Sequence, residues 1–261
     1  MIEKRLNSSP IVYYTDSCDC GEWVLFLHAA FVNHEMFNKQ FEYFKGRVNI
    51  LAIDIIGHGK STDAGKGDSI ERMSEWISSI LRAEKIKKLH IVGVSLGSVL
   101  AQDFANKYPE AVASLACFGG YDINNFDSKM QRGNGLAQLK MIIRGLISVK
   151  WFAKDNKRIS AYTQAAQEDF YEMNIKFQKR SFMYLSSLGS MVNNYKTEAR
   201  DYPLLIGCGE HDIPMEHEAV KQWAQSEPSA ETVVFKGAGH CVNMDKPEEF
   251  NQYMEGFWKT V

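Results

Sequence analysis

The sequence predicts an α/β fold, a mostly parallel sheet covered by helices on both faces. Short apolar runs rich in Val, Ile, Leu and Phe alternate along the chain with longer stretches of helical period. Most of these runs end at or beside Gly, Asp or His. Between residues 122 and 200 the rhythm breaks, and helical stripes replace strands.

Seven strands are expected from the residues, at Ile11 to Thr15, Trp23 to His28, Asn49 to Asp54, Leu89 to Val94, Ser114 to Phe118, Leu204 to Cys208 and Thr232 to Phe235. Their C-terminal ends are where open α/β sheets bind ligands. The helical segment carries three stripes: Leu136, Leu139, Ile143 and Leu146; Phe170, Met173 and Phe177; and Phe182, Leu185 and Leu188. Such spacing puts the apolar side chains on one face of each helix, so the segment packs on the sheet and is placed to roof a substrate pocket.

Bulk properties narrow the function. Lys and Arg number 30 against 32 Asp and Glu, so no basic field exists to hold nucleic acid or an anionic membrane surface. A small-molecule partner is the expectation. The N-terminal residues lack the apolar core of a signal peptide, and no apolar run approaches the ~20 residues that span a bilayer. The protein therefore reads as soluble, unsecreted and cytoplasmic. Its five cysteines, Cys18, Cys20, Cys117, Cys208 and Cys241, lack paired zinc spacing and read as free thiols.

The chemistry concentrates at Gly93-Val94-Ser95-Leu96-Gly97, which closes one expected strand and opens the helical stretch Leu96 to Tyr108. A Ser on such a strand-to-helix turn is held in a strained conformation, and flanking glycines let the chains pack closely, so its hydroxyl projects at the sheet edge. Ser95 is the candidate nucleophile. A serine hydroxyl needs an imidazole to take its proton and an acid to hold that imidazole in the right tautomer. His240 follows the last expected strand, Asp212 follows the one before it, and the order Ser, Asp, His is the one used on this kind of sheet.

With these residues in place the chain resembles the α/β-hydrolase superfamily over nearly its full length. Asp54-Ile-Ile-Gly57-His58-Gly59-Lys-Ser61 is similar to that family's DxxGHGxS segment, and Gly237 to Phe250 to its C-terminal His motif and following helix. The resemblance implies an eight-stranded sheet, its first strand near Ile2 to Leu6, with a helical cap inserted after the sixth strand. The implied division is 1–121 core, 122–200 cap and 201–261 core. It also implies an oxyanion hole made of the Ala30 and Leu96 N–H groups. Where the family has His-Gly, this chain has His28-Ala29-Ala30-Phe31, and the Ala29 methyl is expected to constrain that loop. Ser98 stands where many relatives have a second Gly.

Other candidates carry less. Asp54 and His58 fall in a structural turn of the family, and Asp122 is the alternative acid because some relatives place the carboxylate there. His211, Glu216 and His217 lack a matching third ligand for zinc. Lys85 to Lys88 mark a solvated helix end, and Cys241 is an inert neighbour of His240. The expected reaction is a two-step acyl transfer on Ser95, with no metal and no organic cofactor. A carboxylic ester with an apolar portion is the expected substrate, a thioester or lactone the next. Carbon–carbon cleavage of a diketone, perhydrolysis and a non-catalytic receptor role remain alternatives on the same scaffold.

Overall fold

The computed structural model describes residues 1–19, 21–126, 143–185, 187–192 and 200–259. Its centre is one eight-stranded sheet: β1 (Ile2–Arg5), β2 (Val12–Asp16), β3 (Trp23–Leu27), β4 (Asn49–Ile53), β5 (Leu89–Val94), β6 (Val112–Phe118), β7 (Leu204–Gly209) and β8 (Glu231–Phe235). The spatial order is β1-β2-β4-β3-β5-β6-β7-β8. β2 runs antiparallel to both β1 and β4, and every pairing from β4 through β8 is parallel.

The helices that matter to the site are α1 (Asn38–Phe44), α2 (Met73–Ala83), α3 (Leu96–Lys107), α4 (Val149–Ser160), α5 (Gln164–Asn174), α6 (Pro214–Ser226) and α7 (Pro247–Trp258). In α2 the buried residues Met73, Trp76, Ile77, Ile80 and Leu81 repeat at helical spacing, so one stripe faces the sheet. α3 is buried from Leu96 to Ala105 because it packs on the sheet centre, against β3, β5 and β6. α6 and α7 each open on a proline, whose missing N–H loses nothing in a first turn.

Both faces of the sheet are covered, which is why its central strands read as unbroken apolar runs. Successive side chains of β3 divide between two cores. Leu25 and Leu27 share one with Trp76, Ile77 and Ile80 of α2 and Leu100 and Phe104 of α3. Val24 and Phe26 share the other with Phe41 of α1 and Phe250 and Met254 of α7.

Between β6 and β7 the chain leaves the sheet for helices, including α4 and α5. Phe152, Phe177 and Phe182 form a small separate core there, with Phe31 from the loop after β3 packed against it. The rings of Phe31 and Phe152 lie 4.8 Å apart, edge to face. Phe170, Met173 and Phe177 are buried, as their spacing predicts.

Two expectations need correction. In the first helical stripe, Leu136 and Leu139 lie outside the described residues, while Ile143 is 46% and Leu146 50% exposed. The buried residue of that turn is Gly145, where a Cβ would overlap the Phe182 ring, so contact is made through a bare backbone. Among the cysteines, Cys117, Cys208 and Cys241 are free and sealed in the interior. Cys18, in a partly exposed loop, is in a disulfide instead. Cys20 lies outside the described residues. Among those residues no helix is long and apolar enough to cross a membrane.

Candidate active site

Strand order places the site. From β3 the chain passes to β4 on one side and then to β5 on the other, which opens a crevice at the C-terminal ends of β3 and β5. Ser95 sits at the end of β5 with φ 55° and ψ −113°, a left-handed φ rare for a residue with a side chain. Its N–H donates to the Phe118 carbonyl at 2.8 Å, which ties the turn to the end of β6. Close approach explains the flanking glycines. A Cβ on Gly93 would overlap the backbone of Gly97, and one on Gly97 would overlap the Leu27 carbonyl at the end of β3.

The loops after β7 and β8 interlock. Glu210 N–H donates to Phe235 O at 2.9 Å and His211 N–H to Ala238 O at 2.8 Å. This brings Asp212 against His240, with His240 Nδ1 at 3.0 Å from Oδ1 and 3.1 Å from Oδ2. A carboxylate only accepts, so the proton lies on Nδ1, and neutral His240 presents Nε2 as an acceptor. Asp212 Oδ1 also accepts from Ile213 N–H at 2.8 Å, which holds the carboxylate at the start of α6. Burial pulls the His240 imidazolium down, but the charge and hydrogen bond of Asp212, with the charge of Glu216, raise it to about 9. Glu216 itself is buried, its Oε2 has no hydrogen-bond partner among the described residues, and burial raises its carboxyl above the usual range.

His240 lies beside Gly119, the residue after the Phe118 whose carbonyl holds the Ser95 N–H. Gly119 has φ 57°, and a Cβ there would lie 2.8 Å from His240 Cε1. Among the described residues no hydrogen bond joins Ser95 Oγ to His240.

The loop after β3 is held from behind. His28 Nδ1–H donates to Ala29 O at 2.7 Å, while its Nε2 accepts from Ile55 N–H at 2.9 Å. Burial and the neighbouring His58 hold His28 down at about 3, so it is neutral. The Ala29 carbonyl and the Ala30 N–H belong to one planar peptide, so His28 turns the Ala30 N–H to the opposite side, away from itself. Neither the Ala30 nor the Leu96 N–H bonds to another described group. The Ala29 methyl lies in the core beside Val32 and Met36.

Asp122 does not meet His240. Its oxygens accept from Asn124 N–H at 2.9 Å and Ser226 Oγ at 3.2 Å, and burial raises its carboxyl above the usual range. Asp54 is a buried hub that accepts from His34 and Lys60 main-chain N–H, His34 Nδ1 and Tyr14 OH. His58 packs against Phe177 at 5.0 Å. His211 stacks on Tyr162 at 3.8 Å, and no metal-binding cluster exists among the described residues. Burial pushes the Cys241 thiol well above its ordinary range, which keeps it un-ionised. One contact went unread in the sequence, His28 as the clamp on the Ala29–Ala30 peptide.

A family model described as the alpha/beta hydrolase family matches residues 24–253. The chain belongs to that family. It is similar to the (E)-2-((N-methylformamido)methylene)succinate hydrolase of Acinetobacter baylyi, 21% identical over 273 aligned positions that cover 100% of both chains. Another relative, 3-oxoadipate enol-lactonase 1 of the same organism, is 24% identical over 91% of this chain and 89% of its own. Among solved structures, a thermophilic esterase from Thermogutta terrifontis superposes with a TM-score of 0.80 at 18% identity, covering 99% of this chain and 98% of its own. This hydrolase is thus an enzyme of the α/β-hydrolase fold, a family that acts on small molecules.

Proposed function

We propose that this hydrolase cleaves a carboxylic ester, or a related thioester or lactone, through an acyl-enzyme on Ser95. The observation that carries this is the Asp212 carboxylate at 3.0 Å from His240 Nδ1, with that imidazole against Gly119, one residue past the Phe118 carbonyl that holds the strained Ser95 turn. In the first step Ser95 Oγ attacks the carbonyl carbon while its proton passes to His240 Nε2. The N–H groups of Ala30 and Leu96 receive the oxyanion, and a misplaced donor would cost about 3 kcal/mol of transition-state stabilisation. Collapse breaks the bond to the leaving oxygen or sulfur, which departs with that proton. A water, deprotonated by His240, then attacks the acyl carbon and frees the acid and Ser95.

Residues 122–200 act as the cap over this site, between core segments 1–121 and 201–261. The ring cluster of Phe31, Phe152, Phe177 and Phe182, which begins one residue after Ala30, supports a substrate with an apolar portion.

The test is a panel of p-nitrophenyl esters of graded chain length beside thioesters, lactones and diketones. Turnover of an ester, thioester or lactone, lost in Ser95→Ala, is expected. A fluorophosphonate probe should label the wild type and not Ser95→Ala. Equal labelling of both, or turnover of diketones alone, refutes the assignment.

A further inference from the structure

Asp245 is 7% exposed, and its two oxygens gather donors from two separate parts of the chain. From the turn between α4 and α5, Oδ1 accepts Thr163 N–H at 2.7 Å and Thr163 Oγ1 at 2.8 Å, and both oxygens lie within 3.1 Å of Tyr162 N. From the loop after β8, Oδ2 accepts Gly239 N–H at 2.8 Å. Among the described residues no cation pairs with Asp245, and main-chain N–H groups, with the N-terminus of α5, face its oxygens.

Gly239 immediately precedes His240. On the other side of His240, Cys241 N–H donates to Ser160 O at 2.8 Å, at the end of α4. The imidazole is therefore bracketed by two ties to the same turn. Contact there is tight, since a Cβ on Gly239 would lie 3.0 Å from Tyr162 N. The Tyr162 ring in turn stacks on His211, the residue before Asp212, at 3.8 Å and 12°.

We propose that Asp245 is a positioning residue that, by bolting the Ala161–Thr163 turn to Gly239, fixes His240 against Asp212 and Ser95 and couples seating of the inserted helices to competence of the base. The assignment rests on the roles proposed above for Ser95 and His240. Loss of the bolt leaves every reacting group present but lets the imidazole drift, and a misplacement of about 1 Å costs on the order of 100-fold in rate. Substrate binding, which does not need the imidazole, is left nearly intact.

The experiment compares wild type, Asp245→Asn, Asp245→Glu and Ser95→Ala in fluorophosphonate labelling rate and in kcat and KM for a short p-nitrophenyl ester across pH. Asn keeps the shape but turns an NH2 toward N–H donors. It should slow labelling and kcat by roughly 10- to 100-fold with KM changed less than about threefold, and displace the pH profile of kcat. Asp245→Glu should recover part of the rate. If Asp245→Asn does not fold, Thr163→Val, which removes the Oγ1 bond to Asp245 together with the cap bond from Ala166 N–H, should lower kcat about three- to tenfold with the same KM pattern. Wild-type labelling rates and pH profile in a folded Asp245→Asn, or losses that only track the fraction folded, overturn the Asp245 assignment and leave Ser95 standing. A wild type that is not labelled overturns the Ser95 assignment itself.

Discussion

Replacing Asp212 by Asn keeps the side chain's shape and removes the charge that faces His240. Burial opposes the charged form of His240, yet the Asp212 carboxylate, with Glu216, lifts it from 6.5 to about 9. A displacement of that size corresponds to roughly 3 kcal/mol of preference for the charged imidazole. The Asp212→Asn variant forfeits most of it, and burial then takes the imidazole below its ordinary range. The new amide also donates to Nδ1, which drives the ring proton onto Nε2, the atom that must accept from Ser95. The expected loss in kcat is about 10⁴-fold. Steady-state hydrolysis of a p-nitrophenyl ester, followed across pH, measures it. In the wild type the active neutral form accumulates as pH rises, so kcat/KM should climb toward about pH 9. Stability moves the opposite way. A raised folded pKa contributes stability in full below 6.5 and loses it as pH rises through about 9, so thermal melts should fall across that window in the wild type and stay flatter in Asp212→Asn. An Asp212→Asn enzyme within about tenfold of wild type, or a larger loss in Asp122→Asn, would refute the pairing of Asp212 with His240.

Three further outcomes follow from the geometry. Gly119→Ala should lose most activity, because a Cβ 2.8 Å from His240 Cε1 displaces the imidazole, and left-handed backbone adds about 1–2 kcal/mol of strain in a thermal melt. His28→Leu frees the Ala29–Ala30 peptide to rotate, and kcat should drop on the order of 100-fold in ester hydrolysis with KM little changed. Asp54→Asn should destabilise the fold by about 3 kcal/mol in denaturant titration, since an NH2 then opposes N–H donors. Burial opposes ionisation of Asp54, yet His34 and its other partners hold it at about 2. Its contribution is therefore present above 3.8 and lost as pH falls toward 2, so the variant should show a shallower acid limb than the wild type.

Much of the molecule is legible in the chain. All seven strands read from apolar runs are present, and the eighth lies at Ile2–Arg5 where the resemblance implies it. A strand buried on both faces announces itself as a short apolar run, and a nucleophile turn by glycines whose Cβ atoms would overlap neighbouring backbone. The inserted helices are less legible. Ile143 and Leu146 keep helical period yet face outward, because Gly145 makes the contact with Phe182 that their pattern assigns to them. Periodicity marks a stripe but not the partner that covers it.

The strands, the order Ser95, Asp212, His240 and the turn that exposes the serine can all be read from the chain, because each depends on residues close together in it. Three contacts that the chain leaves open or unmarked are settled by folding. Asp212 rather than Asp122 faces His240, His28 clamps the peptide carrying the Ala30 N–H, and Asp245 joins the Ala161–Thr163 turn to Gly239. The first and last link loops far apart in sequence, and the clamp depends on Ile55 from a distant turn holding the other side of the His28 ring. All three are set by which strand ends lie side by side. Hydrogen bonds reach about 3 Å, and no local pattern of residue types records which distant loop will come within that reach.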